Sequence, residues 1–179
     1  SNSQVGFASD HNLFLPTASG VALGLWQGLE RGTLASWTSA TAGDFNSLVA
    51  DPLFVSPAGA DGVLGYASPA NDGRDDDFHE RSAHGGFSGG SGLAPVLDAT
   101  TGLPVLLAPS ALVSGVSSPA IDRGRASDGF ALEPAFNGGY INIGVYGNTA
   151  QASKSPAQYV LVMNPNGGEG IPQETTFTV

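Results

Sequence analysis

Ser117-Ser-Pro-Ala-Ile-Asp-Arg-Gly124, read together with Tyr140-Ile-Asn-Ile-Gly-Val-Tyr-Gly-Asn-Thr-Ala150, decides how this chain is read. In the first stretch, Ser118-Pro119 makes a corner, because the residue before a proline is pushed out of the α region. Ala120 and Ile121 then follow as a buried strand. In the second, Ile141, Ile143 and Val145 alternate with polar or small residues, which predicts a strand carrying all three on one face. Both stretches describe a chain that turns tightly, buries small side chains and closes.

The composition fits that reading. The 179 residues include 26 Gly and 12 Pro, and only 12% are charged, against about 25% in an ordinary globular domain. A hydrophobic content of 41% is enough to offset chain entropy, so wholesale disorder is excluded. Many turns and short strands are expected, as in solenoids and sandwiches. The length allows one domain, or one domain and a fragment.

The net charge is −10, from 16 acidic and 6 basic residues. No Lys/Arg cluster occurs, so no nucleic-acid partner is expected: a phosphate backbone would be repelled rather than neutralised. Anionic membranes are disfavoured for the same reason, and polyanionic sugars would need bridging cations. With no cysteine there is no disulfide framework. No stretch reaches the roughly 18 apolar residues that span a bilayer. A start at Ser1, without Met or signal peptide, leads us to expect an excised segment or processed product.

Working along the chain, Ser9-Asp-His-Asn12 is turn chemistry before a short buried strand, Leu13-Phe14-Leu15. Strands are expected to start near Val21, Leu34 and Leu48, with a helical turn over 42–47. Asp51-Pro52 is a corner that sends Leu53, Phe54 and Val55 into the core. Those intervals are irregular, so no strict repeat is visible, as befits a terminal solenoid unit. The region 58–113 reads as loop or insertion, with prolines 95, 104 and 109 restricting its apolar pieces to edge strands. Tyr159–Met163 and Thr175–Val179 read as strands around Asn164-Pro-Asn-Gly-Gly-Glu-Gly170.

Several of these segments resemble the right-handed parallel β-helix proteins of bacterial surfaces and secretions, which are pectate-lyase-like. Ser118-Pro-Ala-Ile-Asp122 resembles their "SPAIDAG" signature, with Arg123 in place of the small residue. Asn142-Ile-Gly-Val-Tyr-Gly147 resembles the terminal "NIGAYG". Ala50-Asp-Pro-Leu-Phe-Val55 is similar to "ADPLFV", Asp10-His-Asn-Leu-Phe14 to "DYNLF", and Asp76-Asp-Phe-His79 to a coil strand. The resemblance implies that Phe78 points inward and that Asn12 is a coil corner satisfying backbone groups, a reading that stands equally with an ordinary loop residue. The resemblance covers residues 8–156 and implies an all-β fold: the terminal coils and C-terminal closure of a right-handed parallel β-helix over 1–156. Residues 157–179 look like a linker and the first strands of a truncated Ig-like β-sandwich module.

The chemistry is sparse. Asp72, Asp75, Asp76 and Asp77 form the densest carboxylate cluster and are the metal candidates, since Ca²⁺ takes several carboxylate and carbonyl oxygens; the spacing is not that of an EF-hand. Two other readings stay open. Asp75 and Asp77 on one strand face would stand at about the separation of an inverting glycosidase pair, or the cluster is a solvated acidic turn partnered by Arg74 and Arg81. Trp26 and Trp37 are glycan-contact candidates by ring stacking, or else buried aromatics. His11, His79 and His84 are too dispersed for a zinc motif. The resemblance implies that a lyase would use Lys or Arg, for which Lys154, Arg123 and Arg125 are the residues at hand. No residue is assigned a catalytic role.

The expectation is therefore a non-catalytic structural or adhesive segment of a large extracellular or cell-surface bacterial protein, contacting glycans. Its partners would be the rest of its own polypeptide, polysaccharide, or copies of itself through exposed strands. The alternatives are a groove edge of a carbohydrate-active enzyme with its catalytic coils upstream, and a self-assembling surface or filament subunit.

Overall fold

The computed structural model describes residues 4–87, 99–101, 111–156, 158–163 and 173–178. Among these, regular structure is β-rich but sparse, with ten short strands and one helix set in turns and irregular chain. The strands pair into five two-stranded sheets, one parallel and four antiparallel. No stack of parallel coils forms among the described residues.

The parallel pair is β1 (Leu13–Phe14) with β4 (Leu48–Val49), Leu13 opposite Leu48 and Phe14 opposite Val49. Bonds from Leu48 N–H to the Asn12 carbonyl (2.9 Å) and from Ala50 N–H to Phe14 (3.1 Å) extend it. Between these strands lies a hairpin of β2 (Gly24–Trp26) and β3 (Leu29–Arg31). Gln27 and Gly28 turn it with φ of 53° and 77°, the two left-handed residues that a twist-matched two-residue turn needs.

Leu34–Thr41 forms α1, where the sequence pointed to a strand, and the helical turn expected over 42–47 is absent. The reason is local. Thr33 accepts from Ser36 N–H while the Ser36 side chain returns to the Thr33 backbone, and Ala42 ends the helix in the left-handed region. These two caps satisfy end groups that a helix otherwise leaves open. α1 has no buried residue; Trp37 anchors it against Gly24, where a Cβ would run into the indole.

Further on, β5 (Phe54–Ser56) pairs with β6 (Asp77–Glu80), and β7 (Gly86–Phe87) with β8 (Ala111–Leu112). The Asp51 side chain accepts from Leu53 N–H (2.8 Å), making the expected corner around buried Pro52. Phe78 is half-buried, edge-on to Phe54 at 5.5 Å. The expected strand at Ala120–Ile121 is a turn, and the expected strand over 141–146 is replaced by turns, with Val145 77% exposed. The alternation over 141–146 is broken because polar Asn142 takes the buried position and Gly144 adopts φ 134°. Finally β9 (Gln158–Met163) and β10 (Gln173–Thr178) form an antiparallel pair, Tyr159 opposite Phe177. The Asn164–Gly170 turn and most of 93–113 lie outside the described residues.

The interior is polar. Among the described residues the buried apolar side chains, Pro52 aside, are Phe87, Ala120 and Ala152, against nine buried polar ones, including Asp44, Glu80, Glu133 and Asn142. Such an interior is held by paired donors and acceptors more than by apolar area.

Candidate functional site: the closing segment and its buried acids

The two stretches that open the sequence reading meet in space. Ile143 N–H donates to the Ala120 carbonyl (2.9 Å), and Gly124 N–H to Ile141 (2.8 Å). Buried Asn142 joins them: its Oδ1 accepts from Asp122 N–H (2.9 Å) and its Nδ2 donates to the Ser153 carbonyl (2.8 Å). Asp122 in turn accepts from Gly138 N–H (3.0 Å) and the Ser155 hydroxyl (2.5 Å). One amide thus pins three backbone segments.

Against this closing segment packs β6. His79 is stacked between Tyr146, with ring centroids 3.6 Å apart, and Phe87, at 4.4 Å. Its Nδ1 meets Asp77 Oδ1 at 2.6 Å and its Nε2 meets Gln151 Oε1 at 3.0 Å. A carboxylate–imidazole pair can move protons, but both ring faces are covered and His79 is 6% exposed. In this arrangement the pair orients the closing segment.

Beside it, Glu80 is completely buried, and no donor hydrogen-bonds to either side-chain oxygen. Its carbonyl accepts from the Ser153 hydroxyl at 2.5 Å. Burial pushes the carboxyl up to about 7; its own backbone N–H, which makes no full hydrogen bond to it, and His79 offset part of this, while Glu133 and Asp77 add to it. Glu133 is also buried. Its Oε1 accepts from Asn142 and Asn148 N–H (both 2.9 Å), and its Oε2 has no partner. Burial raises this carboxyl too, against those two backbone donors and with Asp122 adding repulsion. Both acids face the 142–148 turn: Glu133 binds its ends, and a Cβ on Gly144 would strike Glu80 Oε1. Tyr146 is raised by burial, then by Asp77 and Glu80.

A third buried acid sits near β1. Asp44 Oδ1 accepts from Asn12 Nδ2 (2.7 Å), Ser47 Oγ (2.7 Å) and Ser9 Oγ (3.1 Å), and Oδ2 accepts from Trp37 Nε1 (2.7 Å). Burial alone would raise this carboxyl, but the four donors outweigh it and hold it below the usual range. Asn12 is accordingly a built corner, with its N–H also bound by Ser47 Oγ (2.8 Å).

The sequence-predicted candidates fall as follows. The Asp75 carboxylate accepts from Ala60 and Asp61 N–H, Asp76 from Gly65 N–H, Asp72 from Arg74 and Asp77 from His79 N–H, with its Oδ1 also meeting the His79 ring. Asp72 and Asp75 share a shallow pocket with Asp61, while Asp77, the one at a strand start, turns to His79. Among the described residues no three His, Asp or Glu side chains are grouped to hold a metal ion. Trp26 and Trp37 join Phe7 in an edge-to-face trio at 5.1, 6.0 and 5.9 Å, with the Trp37 N–H spent on Asp44. More exposed rings lie elsewhere: Phe45 and Tyr140 line a groove of about 540 Å³ with Arg123. His11 spans to the Arg123 carbonyl (3.0 Å), and His84 is exposed. Sequence reading placed Glu80 beside the acidic run but missed its burial, and missed the buried roles of Asp44, Glu133 and Asn142, whose partners lie up to 35 residues away in the case of Asp44; no local spacing signals them.

No family model, no curated protein and no solved structure matches the chain.

Proposed function

We propose that this chain is the closing unit of a right-handed parallel β-helix in an extracellular or cell-surface bacterial protein, and that its work is structural rather than catalytic. The observation that carries the reading is Asn142, which ties the Ser118–Asp122 corner to the closing turn and to Ser153. The parallel Leu13–Leu48 pair, built on the Asn12–Asp44 corner, is what two stacked coils would leave in a terminal unit. Apolar side chains left exposed on the N-terminal third, such as Phe7, Leu25 and Leu29, are surface that a preceding coil would cover. Ending a solenoid protects sheet edge that would otherwise pair with other chains. Imaging the parent polypeptide by electron cryo-microscopy should show stacked coils running into Leu13–Phe14. A different fold preceding Leu13 would contradict the proposal.

A second reading, a groove edge of a carbohydrate-active enzyme, is favoured by one observation: the Asp77–His79 pair lies beside an acid titrating about 7, where proton transfer is best matched. Incubation with pectin, alginate and neutral glycans separates the two. The structural reading expects no new reducing ends and no unsaturated-uronate absorbance, whereas turnover would transfer the proposal to the enzyme.

A further inference from the structure

We infer that Glu80 is a proton-dependent lock on the closing segment: protonated, it lies neutral beneath the Gly144 turn and keeps residues 141–152 docked; ionised, it drives them off. This goes beyond the end-unit reading and stands whether or not the chain closes a solenoid.

The geometry is specific. Glu80 has no exposed surface and neither carboxyl oxygen has a donor. The facing turn is anchored by Glu133, itself an acid with an unpartnered buried oxygen. The charged and titratable groups around Glu80 are Asp77 and His79 on its own strand, Glu133, with Asp122 behind it, and Tyr146 from the closing segment. Two of those groups, Glu133 and Asp77, are acids whose charge opposes an ionised Glu80. An ionised Glu80 would therefore be an unpaired charge in a low-dielectric interior among like charges, which is far costlier than a neutral carboxyl there. A cation is the other way to neutralise such a pair. The absence of any third His, Asp or Glu ligand among the described residues favours the proton, since hard cations want six or more oxygens.

The sign follows from linkage. A carboxyl raised in the folded state leaves the native protein holding more protons than the unfolded chain, so stability falls as pH rises between the two values. Here that window runs from the ordinary 4.5 to about 7, and the folding equilibrium should weaken across it by roughly two orders of magnitude.

The test is denaturant unfolding of the 179-residue chain from pH 5 to pH 8.5, for wild type, Glu80→Gln and Glu80→Leu, with amide exchange of residues 141–152. Wild type should lose stability steadily to about pH 7 and exchange faster in 141–152, after correction for intrinsic rates, while the Asp44 corner stays protected. Either variant that folds should flatten the profile and exceed wild type at pH 8. An unchanged pH slope in the folded variant would overturn the inference. Should neither variant fold, wild-type exchange decides: pH-independent protection of 141–152 overturns it. Recovery of wild-type stability at pH 8 on adding Ca²⁺ would also overturn it, in favour of a cation site.

Discussion

Asp44 and Glu80 are equally closed to solvent, 1% and 0% exposed, yet the chain treats them in opposite ways. Around Asp44 four side-chain donors converge, and the carboxyl is held ionised below its usual range. Around Glu80 none does, and burial lifts the carboxyl to about 7. Burial pushes any carboxylic acid up; whether it stays there is decided by how many donors arrive. The N-terminal corner is thus a satisfied polar core, and the closing segment a core whose two buried acids, Glu80 and Glu133, keep unpartnered oxygens. A fully satisfied network rigidifies, whereas a partly satisfied one is where a fold responds to conditions.

The comparison can be broken from the Asp44 side first. Asp44→Ala strands the Trp37, Asn12, Ser9 and Ser47 donors together and should cost about 3–5 kcal/mol in chemical denaturation. A cost below about 1 kcal/mol would mean that the network contributes little. Next comes Asn142→Ala, which leaves Asp122 N–H and the Ser153 carbonyl unpaired; about 2–4 kcal/mol is expected, with fast exchange appearing at 120–124 as well as 141–143. Trp37→Phe keeps the aromatic trio but removes one charged hydrogen bond, for about 1.5–3 kcal/mol. Smallest is Thr33→Ala, which removes the α1 cap at about 1 kcal/mol, read as lost helical signal without a change at the closing segment.

The pH dependence sharpens the contrast. Asp44, depressed in the folded state, contributes stability above the unfolded value of 3.8, and that stability is lost as pH falls through its folded value. Glu80 acts at the other side, its stabilisation lost as pH rises from 4.5 to about 7. Stability should therefore peak in mildly acid solution, between the two windows, and melting temperature against pH checks it. A maximum at pH 8 would show that Glu80 is not buried as described.

Much of the local chemistry was legible in the sequence. Asp51-Pro52 made its corner, Leu13 and Leu48 both started strands, and the two signature stretches proved to be neighbours. The helix escaped because its cap uses Ser36 where Glu or Gln would have announced it. The strand predicted over 141–146 failed because alternation assumes a flat pleat, and here a buried Asn and a left-handed Gly bend the chain instead. The buried acids were invisible for a different reason. Asp44 sits in an ordinary Gly-Asp-Phe-Asn turn and Glu80 in what reads as a charged strand end; only contacts such as Ser153 to Glu80, 73 residues apart, set their environments. The acidic run drew attention through local density, yet its members are committed to separate donors.

Carboxyl carbon shifts followed by nuclear magnetic resonance across pH 2–9 would put both acids in one experiment. The account predicts that Asp44 titrates below its usual 3.8 and Glu80 at about 7. Two ordinary titrations, with Asp44 and Glu80 both near their solution values, would contradict it.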